Sequence, residues 1–179
     1  MNEKLVKAIK FAVTAHQNVN ETYDGAPYSL HLAMAAHYGD LFSHLLPAEK
    51  RDSILAAVWL HDTIEDCRLT YNDIKAAFGE EIAEWVYAVT NNRGRTRSER
   101  ADDNYYQGIA ATPYATFIKL CDRLANAQYS ATMGDKRMVE TYRKELDEFL
   151  GKLDGAQETD YSSMHTALRG ILSEIQPNK

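Results

Sequence analysis

SILAAVWLHDTIED, residues 53–66, is apolar from Ile54 to Leu60 around the whole circumference of a helix, then turns ionisable at His61, Asp62, Glu65 and Asp66. A helix apolar on every side is buried, so its charged end must find partners inside the protein. Residues four apart stack on one face, which predicts one stripe of His61 and Glu65 and an adjacent stripe of Asp62 and Asp66. Two acids in a last turn oppose the helix dipole at a cost of roughly 0.3–1 kcal/mol each unless a cation is close. A divalent metal would supply that cation; alternatively the acids face water, helped by Arg68.

Outward from this segment, apolar positions recur at spacings of three and four, as in Leu5, Ile9, Ala12, Val13 and in Ile82, Trp85, Val86, Val89, with no sustained alternation of the strand type. The fold class expected is all-α. Breakers at Gly25 and Pro27, Pro47, Gly79, Gly94, Pro113, Gly134 and Gly151 to Gly155 divide the chain into about nine helices. Thr70 and Asp73 predict a cap for the helix ending near Phe78, with Gly79 closing it. DGAQETD, residues 154–160, is the one linker-like stretch, leading to a final helix from about Tyr161 to Ile175.

The chain of 179 residues carries 20 Lys+Arg against 26 Asp+Glu, a net charge of −6, with 45% hydrophobic residues. That composition builds a core within one domain. The acidic balance disfavours a general nucleic-acid or membrane-surface binder. The apolar run 54–60 is far short of the roughly 20 residues that span a bilayer, and Lys4, Lys7 and Lys10 interrupt any signal-type apolar region. A cytoplasmic protein is expected, with Cys67 and Cys121 as buried, reduced thiols.

Two further segments carry chemistry. In FIKLCDRLANAQY, residues 117–129, Lys119, Asp122 and Asn126 share a helical stripe and could form a ligand and phosphate-binding row; Asp122 and Arg123 could equally be a surface ion pair. His31 lies one turn into the helix after the Gly25–Pro27 turn and suits either a ligand or a satisfied core residue. His37 and His44 fall off its stripe, whereas His16 could donate from behind the ligands.

A histidine, a His-Asp pair followed one turn later by Glu-Asp, and a distal aspartate form an ordered pattern. With AHQNVNETYDGAPYSLH (15–31), WLHDTIEDCRLTYNDIKAAFGEEIAEWVYAVT (59–90) and IKLCDRLANAQ (118–128), the chain resembles the HD-domain metal-dependent phosphohydrolases, and within them the RelA/SpoT hydrolase domain and small stand-alone alarmone hydrolases. The resemblance implies an HD helical bundle over 1–153, with 154–179 a short linker and C-terminal helix of the same domain. It implies His31, His61, Asp62 and Asp122 as metal ligands, a donor set that suits manganese, iron, cobalt or zinc, with manganese the metal associated with the family. Glu65 and Asp66 match its catalytic acidic pair, and Asn126 a residue near the nucleotide ribose. The implied reaction removes the 3′-pyrophosphate of guanosine tetra- or pentaphosphate, giving GDP or GTP and pyrophosphate. Remaining phosphates need basic partners, for which NNRGRTRSER offers Arg93, Arg95, Arg97 and Arg100. Arg97 is the first choice and Arg137 the second; alternatively these arginines belong to a solvated loop countered by Asp102 and Asp103.

One departure stands out. Many RelA/SpoT hydrolase domains carry an Arg-Lys pair where this chain has Thr22 and Tyr23. Tyr23 is expected to stack on a purine, keeping a small nucleotide as partner while loosening the preference for guanine. A phosphohydrolase of another nucleotide is the alternative within the enzyme class. A non-catalytic nucleotide sensor is disfavoured by the intact Glu65 and Asp66, and a di-iron oxygenase by the lack of further ligands before the His-Asp pair.

Overall fold

In the computed structural model, residues 2–91, 94, 96–154 and 159–173 are described, the side chains of Arg97 and Ser98 excepted. Asn2 opens α1 (Glu3–Asn18) by accepting a hydrogen bond from the Leu5 N–H, and Leu5, Ala8, Ala12 and His16 form its buried stripe. A hairpin follows, β1 (Thr22–Tyr23) against β2 (Ala26–Pro27), with Tyr23 opposite Ala26. Its two-residue loop, Asp24–Gly25, has φ of 50° and 78°, the positive values that a tight I′-type turn requires and that Asp and Gly tolerate. The hairpin is the one sheet among the described residues and an addition to the all-helical expectation.

Then come α2 (Ser29–Leu41), a single 3₁₀ turn at Ser43–Leu45, α3 (Arg51–Leu60) and α4 (Thr63–Asp66). The helix read continuously through residue 66 is therefore broken after Leu60. Its cause is local: His61 Nδ1 lies 2.8 Å from the Val58 carbonyl, and the Thr63 hydroxyl donates to the Leu60 carbonyl at 2.6 Å. Side chains satisfy carbonyls that the helical ladder would otherwise use. Where α2 crosses α3, a Cβ on Gly39 would stand 3.0 Å from Leu55 Cδ2, a contact tight enough that the Leu55 side chain would have to shift.

The next helices are α5 (Tyr71–Phe78), α6 (Glu80–Val89), α7 (Arg97–Arg100) and α8 (Asp103–Ala111). The cap expected at Thr70 is a reciprocal box: Thr70 Oγ1 accepts from the Asp73 N–H while Asp73 Oδ2 accepts from the Thr70 N–H. Gly79, at φ 92°, turns the chain directly into α6. Last come α9 (Ala115–Met133), α10 (Lys136–Leu153) and α11 (Ser162–Ser173). Among the described residues nine α-helices have eight residues or more; the count expected from the breakers omits the two four-residue segments, α4 and α7.

The core is arranged around α9, whose Phe117, Ile118, Leu120, Cys121, Leu124 and Ala125 are all within 1% of complete burial. Helices α2, α3, α6, α8, α10 and α11 pack on it from different sides. Met164, Leu168 and Leu172 seat α11 in the same core, while Ile175 lies outside the described residues. No helix among the described residues is long and apolar enough to cross a membrane. Because α9 is enclosed, any charged residue on it faces either another helix or an internal cavity.

Candidate metal centre

Three elements deliver four ionisable side chains to one point. His31 from the first turns of α2, His61 and Asp62 from the break between α3 and α4, and Asp122 from the middle of α9 meet with both imidazoles and Asp122 buried. His31 Nε2 lies 3.1 Å from His61 Nε2, 3.4 Å from Asp62 Oδ2 and 3.3 Å from Asp122 Oδ1. His61 Nε2 is 2.8 Å from Asp62 Oδ2. With its Nδ1 held by the Val58 carbonyl, His61 presents Nε2 to the cluster, the tautomer a metal ligand needs.

Burial opposes charge on His31, but the hydrogen bonds and negative charges of Asp122 and Asp62 outweigh it and push its pKa up to about 10. His61 moves upward for related reasons, against its own burial and led by the charge of Asp62. Asp62 and Asp122 are held well below the usual carboxylate range despite burial, Asp62 mainly by His61 and Asp122 mainly by Lys119. The pocket thus demands positive charge between two imidazoles and two carboxylates. One donor atom each from His31, His61 and Asp122 lies within 4.8 Å of the others. This nitrogen and oxygen set fits a divalent cation, which would replace the protons held there and remove the conflict between facing imidazoles.

Neighbouring groups fix the cluster's outer atoms. Asp122 Oδ1 accepts from Asn126 Nδ2 at 2.6 Å, and its Oδ2 accepts from Lys119 Nζ at 2.8 Å. The Tyr28 hydroxyl donates to Asp62 Oδ2 at 2.6 Å, and the Tyr28 ring stacks on His16 at 4.4 Å and 4°. His16, buried, holds the Ala12 carbonyl through Nδ1, while its Nε2 has no hydrogen-bond partner among the described residues. It supports Tyr28 by stacking, a role different from the hydrogen-bond donor expected of it.

The acidic pair separates at the helix break. Asp66 stays one hydrogen-bonded turn from Asp62, its N–H donating to the Asp62 carbonyl at 2.9 Å. Half-buried, its carboxyl is raised to about 7 by burial and by the charges of Asp62 and Glu65. Glu65 leaves the His61 stripe: it is exposed and accepts from the Asn91 backbone and side-chain N–H groups at 3.2 and 3.1 Å, tying α4 to the end of α6.

A cavity of about 300 Å³ opens beside the cluster, at the small end of the range for nucleotide-sized ligands. Asp62, Glu65, Asp66, Asp122 and Asn126 line it, joined by Lys119, Arg123 and Arg100. Arg123 is buried; its guanidinium lies 4.1 Å from the Phe149 ring centroid and 4.8 Å from that of Tyr142, and donates to Glu145 at 3.2 Å. The surface ion pair considered between Asp122 and Arg123 does not form in this arrangement. An arginine on a helix this apolar was the available signal for its buried role.

Arg137 is exposed at the start of α10 and does not line the cavity. The Tyr23 ring lies 5.0 Å from His31 at 29° and meets Tyr129 and Tyr28 at steep angles, and its hydroxyl donates to Asn126 Oδ1 at 2.8 Å. Arg93 and Arg95 lie outside the described residues, as does the side chain of Arg97.

A buried His/Asp cluster in a helical bundle, opening onto a cavity lined by both acids and cations, has the donor chemistry of a divalent-metal site. The HD domain pattern matches residues 8–149, and the chain belongs to the HD domain family, whose fold implies a divalent metal at this cluster. A guanosine-3′,5′-bis(diphosphate) 3′-pyrophosphohydrolase of Aquifex aeolicus is 36% identical over 131 residues, covering 70% of this chain and 18% of that protein. The enzyme of the same name called MESH1 in Homo sapiens is 30% identical over 125 residues, covering 69% of this chain and 67% of its own. The chain thus spans under a fifth of the bacterial relative and two thirds of the animal one. Among solved structures, a metazoan orthologue of SpoT, described as hydrolysing ppGpp with a role in starvation responses, superposes with a TM-score of 0.71 at 20% identity over 97% of this chain and 96% of that one.

Proposed function

We propose that the chain is a divalent-metal-dependent hydrolase that removes the 3′-pyrophosphate from guanosine tetra- and pentaphosphate-type nucleotides, with manganese as the metal. The observation that carries this is the joining of the His31, His61, Asp62 and Asp122 cluster to a cavity edged by Lys119, Arg123 and Arg100. The names of its relatives supply the substrate class. A small-molecule nucleotide is its partner, and the buried free thiols Cys67 and Cys121 favour a cytoplasmic setting.

His31, His61, Asp62 and Asp122 would hold the metal, which when bound polarises a phosphoryl oxygen and acidifies water. The chain's own groups do the rest. Asp66, with a carboxyl raised to about 7, takes the proton of the attacking water and returns it to the departing ribose 3′ oxygen. Glu65, anchored by Asn91, orients that water. Water adds to the phosphorus attached to the 3′ oxygen, the bond to that oxygen breaks, and pyrophosphate leaves intact. Lys119, Arg123 and Arg100 offset the phosphate charge, and Asn126 faces the ribose.

The test is purified protein with ppGpp and manganese, products separated by anion exchange. GDP and pyrophosphate in equal amounts are expected; orthophosphate as the only inorganic product would refute the regiochemistry. The second reading, hydrolysis of another nucleotide, is favoured by Thr22 and Tyr23, and turnover of an ordinary nucleoside monophosphate with guanosine tetra- and pentaphosphate uncleaved would establish it.

A further inference from the structure

Asp62 has little on its own helix to aim it. It stands at the N-cap position of α4, where an aspartate ordinarily accepts from the first N–H groups, yet its side chain makes no capping bond. The other carboxylate of the cluster, Asp122, is pinned at both oxygens, by Asn126 and by Lys119. Among the described residues, the one donor to Asp62 besides the two imidazoles is the Tyr28 hydroxyl, 2.6 Å from Oδ2. That oxygen is also the one facing the cluster, 2.8 Å from His61 Nε2 and 3.4 Å from His31 Nε2. The terminal torsion of an aspartate is broad, so a single bond from Tyr28 decides how the oxygen is presented.

Tyr28 reaches beyond Asp62. The Asp66 carboxyl draws on the same hydroxyl, and Tyr28, Asp62 and Asp66 line one cavity. The phenol is itself held in place. Its ring lies flat on His16, centroids 4.4 Å apart at 4°, and meets the Tyr23 ring at 6.0 Å and 89°. His16 is tied back to α1 through the Ala12 carbonyl. The Tyr28 carbonyl accepts from the His31 N–H at 3.0 Å as the chain enters α2. One residue therefore holds a cluster histidine through its backbone, and the cluster aspartate and its acidic neighbour through its side chain.

Building on the hydrolase function proposed above, we infer that Tyr28 is a positioning residue for the reaction: its hydroxyl fixes the cluster-facing oxygen of Asp62 and the carboxyl of Asp66 relative to each other, and His16 acts through it by steadying the ring. Asp62 and Asp66 are one turn apart on a helix of four residues, too short to hold their geometry by itself. The hydroxyl clamps that turn from outside. Without it, the ligand carboxylate and the base can rotate independently, and both metal retention and proton transfer suffer.

Tyr28→Phe keeps the ring, its stacking and the start of α2, and removes the hydroxyl alone. Calorimetric titration of manganese into chelator-stripped protein, with no nucleotide present, should show an affinity weaker by about tenfold or more. With ppGpp and saturating manganese, kcat should fall by about tenfold or more while KM stays within about threefold of wild type. Unchanged manganese affinity would break the link to Asp62, and a kcat fully restored by saturating manganese would break the link to Asp66; either result overturns the inference. His16→Ala, alone and in the Tyr28→Phe background, separates positioning from packing. Alone it should lower kcat by about threefold or more; in the Phe background it should add less than about twofold, because the hydroxyl it steadies is already gone. Losses that simply multiply would show that His16 does not act through Tyr28. If the wild-type protein leaves ppGpp intact, the hydrolase function and the link to Asp66 fall together, whereas the manganese titration decides the link to Asp62 by itself.

Discussion

Asp66→Asn should stabilise the metal-free protein, and more at pH 8 than at pH 5. The Asp66 carboxyl is raised from 3.8 to about 7 in the fold. Because the folded pKa exceeds the unfolded one, the folded state binds more proton between pH 4 and 7, and stability falls as pH rises through that window. From pH 5 to pH 7 the penalty grows by two pH units, about 2.7 kcal/mol at 1.36 kcal/mol each. Halved because the side chain is only half-buried and partly screened by water, this leaves about 1.3 kcal/mol. For a domain of this size that corresponds to about 3–5 °C in Tm. Thermal melts in chelator at the two pH values, wild type against variant, read the difference directly. Saturating divalent metal should shrink it, since a cation beside Asp62 relieves the same repulsion. A variant that gains equally at both pH values, or gains less at pH 8, would show that Asp66 is not destabilised by its neighbours in the fold.

The cluster itself predicts that Asp122→Ala or His61→Ala loses metal and turnover together while far-UV circular dichroism stays near wild type; stoichiometric metal with full activity would remove the ligand assignment. Glu65→Gln keeps an acceptor for Asn91 and stands outside the donor set, so elemental analysis should find metal retained while kcat falls by about 10²-fold or more. Metal loss as severe as in a ligand variant would move Glu65 onto the metal. Tyr23→Phe removes one part-buried hydrogen bond to Asn126 and should cost about 0.5–1.5 kcal/mol by denaturant titration; an unchanged midpoint would mean that the hairpin is held by its ring contacts alone.

Much of this was legible because buried helices write a strong code. The run Ile54 to Leu60 is buried as its composition requires, save the partly buried Trp59, and the Thr70/Asp73 spacing is a true capping box. What escaped depends on contacts that spacing does not encode. Thr63 looks like any helical residue until its hydroxyl is seen turned back onto Leu60, which breaks the helix and sends Glu65 to Asn91. The hairpin has strands of two residues, too short for any alternation, and its only signal was Asp24–Gly25. Arg123 reads as a surface residue beside Asp122 until α10 is placed over it, bringing Tyr142, Glu145 and Phe149. Arg137 is exposed because α10 buries another face, through Val139, Tyr142 and Leu146.

Putting Lys119, Asp122, Arg123 and Asn126 on one enclosed helix ties their fates together. A shift of α9 displaces Lys119, Arg123, the cluster carboxylate and Asn126 at once, so those positions can change only in concert. The approach to the hairpin has no such obligation: Glu21 and Thr22 are exposed and neither belongs to the cluster. On the proposed function, inheritance can therefore rewrite which nucleotide is admitted without touching how it is cut, and a mutagenesis library confined to 21 and 22 should yield folded, metal-competent variants that differ in what they accept.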